Sequence, residues 1–237
     1  MGEFKVLRAS RPLRPYQKLA DALLADIRSG AYPANARLPS ERAMAEQFGV
    51  GRPVIREAII ALEIIGAVSV KRNSGIFVLP RPQNHNSLSV DLDVGGFELL
   101  EARRLIEGEI AYLAASAITE AGLAALEDTM DAMRAANGRG AIDLAEKHDD
   151  RFHAILAAHV NNSVLQNMVT EMSEAQQRSP LAKKLFARIH GQGLGRRIAE
   201  HEAILTALKA RNAKGAREAM RHHLSCVLSE LLAANKP

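Results

Sequence analysis

Apolar positions follow two rhythms along the chain. Between Tyr16 and Arg28, Leu19, Leu23, Leu24 and Ile27 recur at helical spacing, and Gly30 supplies a stop. Ser40 has the character of an N-cap, with a hydroxyl able to accept from first-turn amides. The helix it opens, Glu41 to Phe48, is short and ends at Gly49. A third helix starts near Pro53, whose fixed φ suits a first helical turn, and runs to about Ile65. After Gly66 the period shortens to two: Val68 and Val70 alternate with polar neighbours, residues 71–75 make a turn, and Ile76 to Leu79 returns as a second strand.

Residues 80–95 hold prolines at 80 and 82, polar residues and the first glycine of a pair, without periodicity, and read as a linker. From Phe97 to Leu232 the chain is Ala/Leu-rich and helical, with breaks near Thr119, Asn137–Gly140, Asn161–Ser163, Ser179–Gly195 and Arg211–Gly215. This spacing predicts about six helices. No internal repeat suggests a stacked solenoid. The expected class is mainly α: a module of three helices and a hairpin over 10–80, a linker over 81–96, and an all-helical bundle over 97–234.

Composition narrows the function. A single cysteine, Cys226, in 237 residues excludes an intrachain disulfide and points to a reducing compartment. A basic N-terminus with no apolar run after it does not resemble a signal peptide, and no stretch is apolar enough for a membrane span. The expected location is the cytoplasm, with no membrane partner. Six Phe, three Tyr and no Trp are too few for a base-stacking RNA platform. Charge is more informative when divided. Residues 1–82 carry 13 Lys/Arg against 7 Asp/Glu, a net of +6, whereas residues 83–237 carry 18 against 20, a net of −2. A polyanion-binding module joined to something else fits that asymmetry.

Glu41 to Ile64 has the features of a helix-turn-helix. Ala45 is small where two helices approach, Gly49 suits a turn position needing φ > 0, and Ile55 is apolar where the second helix packs back. Arg52 and Arg56, four apart, share a helical face, and Arg42 begins the preceding helix. Guanidiniums near helix N-termini suit phosphates and guanine edges. The competing reading of these arginines is a solvated basic face on a helical hairpin.

Four segments carry a resemblance: Arg37-Leu-Pro-Ser-Glu-Arg42, Ala45-Glu-Gln-Phe-Gly-Val50, Arg52-Pro-Val-Ile-Arg-Glu-Ala58 and Gly75-Ile-Phe-Val78. Together they resemble the winged helix-turn-helix of GntR-family transcriptional regulators. The resemblance implies DNA contacts from Arg37, Ser40, Arg42, Arg52 and Arg56, with phosphate contacts from Lys71 and Arg72. It places Gly75 at the wing tip, where backbone reaches the minor groove. Gly51 stands where the family has Ser or Thr, which removes a hydroxyl from the start of the recognition helix. The implied partner is double-stranded, palindromic operator DNA read by a homodimer whose recognition helices take two half-sites.

Seven of the eight histidines lie between His148 and His223. Asp149 and His153, four apart, share a helical face with Phe152 and Leu156 nearby. His201 lies on the stripe Ile198, Leu205, Leu208, and His223 on the stripe Ala216, Met220, Val227. Its neighbour His222, rotated by about 100°, reads as solvated. Three histidines and a carboxylate on apolar faces are either satisfied core groups or the ligands of a divalent cation, Zn²⁺, Ni²⁺ or Mn²⁺. Here too a resemblance bears on the choice. Asp149-Asp-Arg-Phe-His153, His201-Glu-Ala-Ile-Leu205 and Ala219-Met-Arg-His-His-Leu224 resemble the ligand motifs of the FadR-type C-terminal effector (FCD) domain. The implied metal ligands are Asp149, His153, His201 and His223, with Asp150 and His148 excluded by phase and motif position.

In that domain a small organic acid sits beside the metal, and Arg103, in Phe97-Glu-Leu-Leu-Glu-Ala-Arg103, matches the pocket arginine. Its alternative is a surface i,i+4 pair with Glu107. Arg104 is expected to face outward. Segments such as Arg14-Pro-Tyr-Gln17 and Ala61-Leu-Glu-Ile64 are most similar to repressors responding to hexuronates and aldonates. The function implied is a cytoplasmic, nucleoid-associated repressor of sugar-acid metabolism, released by a carboxylate effector bound beside the metal. Lactate or an amino-acid derivative is the alternative effector. A metal-dependent hydrolase is disfavoured, because no separate general base stands beside the metal and four protein ligands leave it less open. Gly191-Gln-Gly-Leu-Gly195 has the wrong spacing for a nucleotide loop and is expected to be flexible. Asn162 reads as a helix cap.

Overall fold

The computed structural model describes residues 14–71, 74–80, 95–189 and 194–234. The chain divides into two compact units, one within residues 1–90 and one within residues 91–236. The first contains α1 (Pro15–Ser29), α2 (Glu41–Phe48), α3 (Arg52–Ile64), β1 (Val68–Lys71) and β2 (Gly75–Val78). The second contains α4 (Gly96–Ala117), α5 (Glu120–Gly138), α6 (Ile142–Ala158), α7 (Ser163–Arg178), α8 (Pro180–Ala187), α9 (Leu194–Lys209) and α10 (Ala213–Ala233).

In the first unit Leu19, Leu23, Leu24 and Ile27 of α1 are buried, and α1 packs against α3. Ser40 accepts from Ala43 N at 3.2 Å, which satisfies one of the amides that a helix start leaves without a partner. Gly49 closes α2 in the left-handed region at φ 64°. Ile55, with no exposed surface, packs where the helix-turn-helix pattern requires it. β1 and β2 pair antiparallel, with Val68 opposite Val78 and Lys71 opposite Gly75. The sequence pattern missed a third edge: the segment around Ala36–Leu38 lies along β2, with Leu38 N donating to Ile76 O at 2.8 Å and Val78 N to Ala36 O at 2.9 Å. A single residue pair is too short to show a two-residue period.

In the second unit α10 packs along α4 and α9, and α5 packs along α6 and α9. Leu100, Ile110, Phe152, Leu156, Ile204, Leu208, Met220 and Leu224 form its apolar centre. Asn162 caps α7 by accepting from Val164 N and Leu165 N. Among the described residues one helix more appears than the expected count. The chain after Ser179 folds into a helix, because Ser179 accepts from Ala182 N at 3.1 Å and Pro180 starts α8. Leu181, Ala182, Leu185 and Phe186 then bury a short apolar face. Gly191 to Gly193 of the glycine-rich segment, and residues 81–94 of the expected linker, lie outside the described residues.

Candidate metal centre and nucleic-acid interface

The basic residues of the first unit fall into two sets. Arg37, Arg42, Arg52 and Lys71 are exposed. Arg42, at the start of α2, reaches Glu46 one turn on (3.0 Å) in a solvated pair worth little to stability. Arg52 occupies the first turn of α3, and Lys71 holds its ammonium 5.0 Å from the centre of the Phe77 ring. Arg72 lies outside the described residues.

Arg56 differs from the expectation. It is 1% exposed, and its Nε donates to Glu41 Oε2 at 2.8 Å. The face it shares with Arg52 turns inward within one turn of α3, toward the first residue of α2. A guanidinium buried on a carboxylate holds the two helices together, and the DNA contact expected of Arg56 would need this pair to open. Gly75 lies at the turn end of the hairpin. It is buried at the start of β2, opposite Lys71, with φ 113°. A Cβ there would lie 2.5 Å from Arg37 Nε. The positive φ favours glycine, and a side chain there would displace the Arg37 guanidinium lying across it.

In the second unit four separate helix positions converge. α6 presents Asp149 and His153, α9 presents His201, and α10 presents His223; one ligand atom from each lies within 4.8 Å of the others. His148 and Asp150 stay outside this group, and Asp150 instead accepts from Gln177 at 2.9 Å. The three histidines are 3%, 0% and 2% exposed, too deep for solvated side chains.

The outer face of each ring is already engaged. His153 Nδ1 meets Glu107 Oε2. His201 Nδ1 lies 2.7 Å from the Arg197 carbonyl, and His223 Nδ1 lies 2.9 Å from Glu200 Oε2. A carbonyl only accepts, so His201 Nδ1 carries a hydrogen and Nε2 of the neutral ring carries none. That bare nitrogen faces Asp149 Oδ1 at 3.1 Å. Two acceptors facing each other in a buried site need a proton or a cation between them. His153 Nε2 stands 3.7 Å from the other Asp149 oxygen, too far for a hydrogen bond. Divalent metal ligands characteristically have this arrangement, with the second ring nitrogen fixed by an acceptor. The residues present fit a divalent cation.

Electrostatics agree with the geometry. Burial pushes the Asp149 carboxyl up, but His201, His153 and His223 outweigh it and hold it well below the usual carboxylate range. Burial likewise works against Glu107, yet Arg103 and His153 bring it down to about 2. Burial, together with the His201 ring, lowers His223 to about 4, so its imidazole is neutral and ready to ligate.

Arg103 is not a surface residue. It is 6% exposed, with Nε on Glu107 Oε1 at 2.6 Å and Nη1 on Gln176 at 3.1 Å. It lines a cavity of about 620 Å³ that also reaches Asp149, His223, Lys183 and Arg197. Arg104 is half-buried rather than outward. Glu107 and Glu200 were missed as functional residues in the sequence. Their only signal was an acid one turn from Arg103 and another beside His201.

Residues 15–78 match the family described as bacterial regulatory proteins, gntR family, and residues 98–225 match the FCD domain. The chain belongs to the GntR family. This FCD-containing GntR protein is a DNA-binding transcriptional regulator and not an enzyme. It is 34% identical to the Uxu operon transcriptional regulator of Escherichia coli K12 over 230 residues, covering 94% of this chain and 89% of the relative. It is 35% identical to the Exu regulon transcriptional regulator of the same organism, covering 92% and 84%. The Haemophilus influenzae Uxu operon regulator is 34% identical, covering 92% and 82%. The solved structure of E. coli McbR/YncC has the same fold, with a TM-score of 0.53 at 22% identity, covering 94% of this chain and 100% of that one. Among the described residues of this GntR regulator, no helix is long and apolar enough to cross a membrane.

Proposed function

We propose that this regulator is a cytoplasmic homodimeric repressor of sugar-acid metabolism, released from a palindromic operator by a hexuronate or aldonate. The observation that carries the proposal is the cavity of about 620 Å³ whose wall brings Arg103 together with Asp149 and His223. Asp149, His153, His201 and His223 would hold a divalent cation, which supplies a coordination position for the effector carboxylate. Arg103, anchored by Glu107 and Gln176, adds fixed positive charge on the same wall. The similarity to regulators named for the Uxu operon and the Exu regulon supports the ligand class. At the DNA, Arg37, Ser40, Arg42, Arg52 and Lys71, all exposed, would make contact, with Gly75 leaving room for Arg37.

The operator response can only be as large as the effector's preference for one of two conformations. Binding to the fragment upstream of the protein's own coding region is therefore measured at fixed salt with a panel of hexuronates and aldonates. One sugar acid should lower specific affinity at least tenfold, and prior chelation should abolish that response. Release by lactate instead would favour a second reading. A 30% identical E. coli relative described as a putative L-lactate dehydrogenase operon regulatory protein speaks for it. Release that survives complete metal removal would overturn the role of the four ligands.

A further inference from the structure

A second group of metal-ligating side chains lies on the outer side of the first. Glu200 of α9 and His222 and Cys226 of α10 each place one ligand atom within 4.8 Å of the others. His222 and Cys226 are four residues apart and so share a helical face. His222 is exposed, as its phase predicts, yet its ring does not extend into solvent alone: Nε2 lies 3.5 Å from Cys226 Sγ. A tetrahedral zinc with Zn–S near 2.3 Å and Zn–N near 2.0–2.1 Å holds its sulfur and nitrogen about 3.6 Å apart. The sulfur–nitrogen separation already present matches that spacing.

Glu200 is the independent observation. It is 7% exposed; Oε2 takes His223 Nδ1 at 2.9 Å, and the carboxylate also takes a hydrogen bond from the Cys226 thiol. A thiol already bonded to a buried carboxylate sets sulfur and oxygen about one point, where a cation can replace the shared proton. Cys226 is in no disulfide and is half-buried. A thiolate, an imidazole and a carboxylate are the donor set of a borderline-soft divalent cation, and three protein ligands leave a fourth position for water.

We propose that Glu200 Oε1, His222 Nε2 and Cys226 Sγ form a second divalent-cation site, selective for a thiophilic ion such as Zn²⁺. On binding, the Cys226 thiol gives its proton to solvent and the thiolate ligates; no electrons move. Glu200 is shared between the two groups, with one oxygen orienting His223 and the other facing the new ion. Occupancy of the outer site therefore alters the acceptor that fixes His223. This coupling rests on the reading of the inner four residues as metal ligands, whereas binding at the outer site does not.

Co²⁺ titration of the full-length protein, kept reduced without thiols, separates the two. Thiolate ligation gives an intense charge-transfer band in the near ultraviolet that nitrogen and oxygen ligands do not. The band should develop to one equivalent per chain in the unmodified protein and in Asp149→Ala, and Zn²⁺ should displace it. Cys226→Ser should abolish the band while retaining Co²⁺ uptake at the inner group, with circular dichroism unchanged. His222→Gln should weaken the band-forming affinity at least tenfold. Absence of the band from the unmodified protein at saturating Co²⁺ overturns the outer site. A band with undiminished affinity in His222→Gln reduces it to a bare thiol and also overturns it. Loss of uptake in Asp149→Ala with the band intact would support the outer site; a band intact with inner uptake unchanged in that variant would instead count against the inner ligands alone.

Discussion

In the DNA-binding unit, Arg56 meets Glu41 at 2.8 Å and the contact ties α3 to the first residue of α2. In the helical unit, Arg103 meets Glu107 at 2.6 Å, but there the contacts run on, through His153 to Asp149 and His201. They end on imidazole nitrogens without hydrogen-bond partners, beside Asp149, which lines a cavity. Both pairs are buried Arg–Glu contacts, so burial alone does not separate scaffold from site. What separates them is whether the buried charges are used up locally or leave donor atoms aimed at a shared point. By the same consideration Arg56 serves as scaffold in this closed pair although it sits on α3, and Glu107 belongs with the candidate site although it looks like a salt-bridge partner.

The largest test of that contrast is Arg56→Ala. Removing one member of a buried pair strands the other charge, at a cost of roughly 3–5 kcal/mol. Urea denaturation should show the loss directly, and DNA binding should fall only as far as the folded fraction falls. Arg52→Ala, at an exposed first-turn position, should leave the denaturation midpoint in place and cost about 1–3 kcal/mol of specific DNA affinity. A stable Arg56→Ala protein that had lost operator binding would make Arg56 a reader after all and erase the distinction.

Glu107→Gln examines the other side. Its carboxylate serves Arg103 with one oxygen and His153 with the other, and an amide oxygen can accept from only one of them. Loss of a ligand's outer partner typically weakens metal affinity 10–100-fold, about 1.4–2.7 kcal/mol. Competition against a chelator of known affinity measures it. Unchanged affinity would mean that Glu107 only neutralises Arg103, and that the helical unit closes its charges just as the DNA-binding unit does.

The contrast also explains what could be read from the chain. Period and punctuation were enough for α1 to α3, the hairpin and the breaks of the bundle, because Leu19, Gly49, Ser40 and Asn162 act through their immediate neighbours. The positions of His153, His201 and His223 were legible for a related reason: each sits on an apolar stripe, and a polar group on such a stripe must face the interior. What escaped depends on a partner far along the chain. Nothing local to Arg56 says that Glu41 covers it, and nothing local to Glu200 says that one oxygen orients His223. α8 was hidden because eight residues give a weak period, and the edge at Ala36–Leu38 because one bridge gives none.

The smallest effect concerns Gly51, where a local rule is broken without visible compensation. It caps α3 with extended backbone at φ −67° and ψ 151° and makes no side-chain cap hydrogen bond. A Cβ added there would meet Pro53 Cδ at 3.5 Å, an ordinary contact, so serine fits without movement. Serine at an N-cap exceeds glycine by only a few tenths of a kcal/mol, and Gly51→Ser should raise the stability of the DNA-binding unit by about that much. The helix start is also where phosphates are bound, so a new hydroxyl there has a second possible use. Stability and operator affinity measured on the same variant separate the two uses. A gain in stability alone makes the missing hydroxyl a cap; a gain in affinity with the midpoint fixed makes it a phosphate contact. No change in either would show that α3 needs no side-chain cap, because its start is already held by the buried Arg56–Glu41 pair one turn further in.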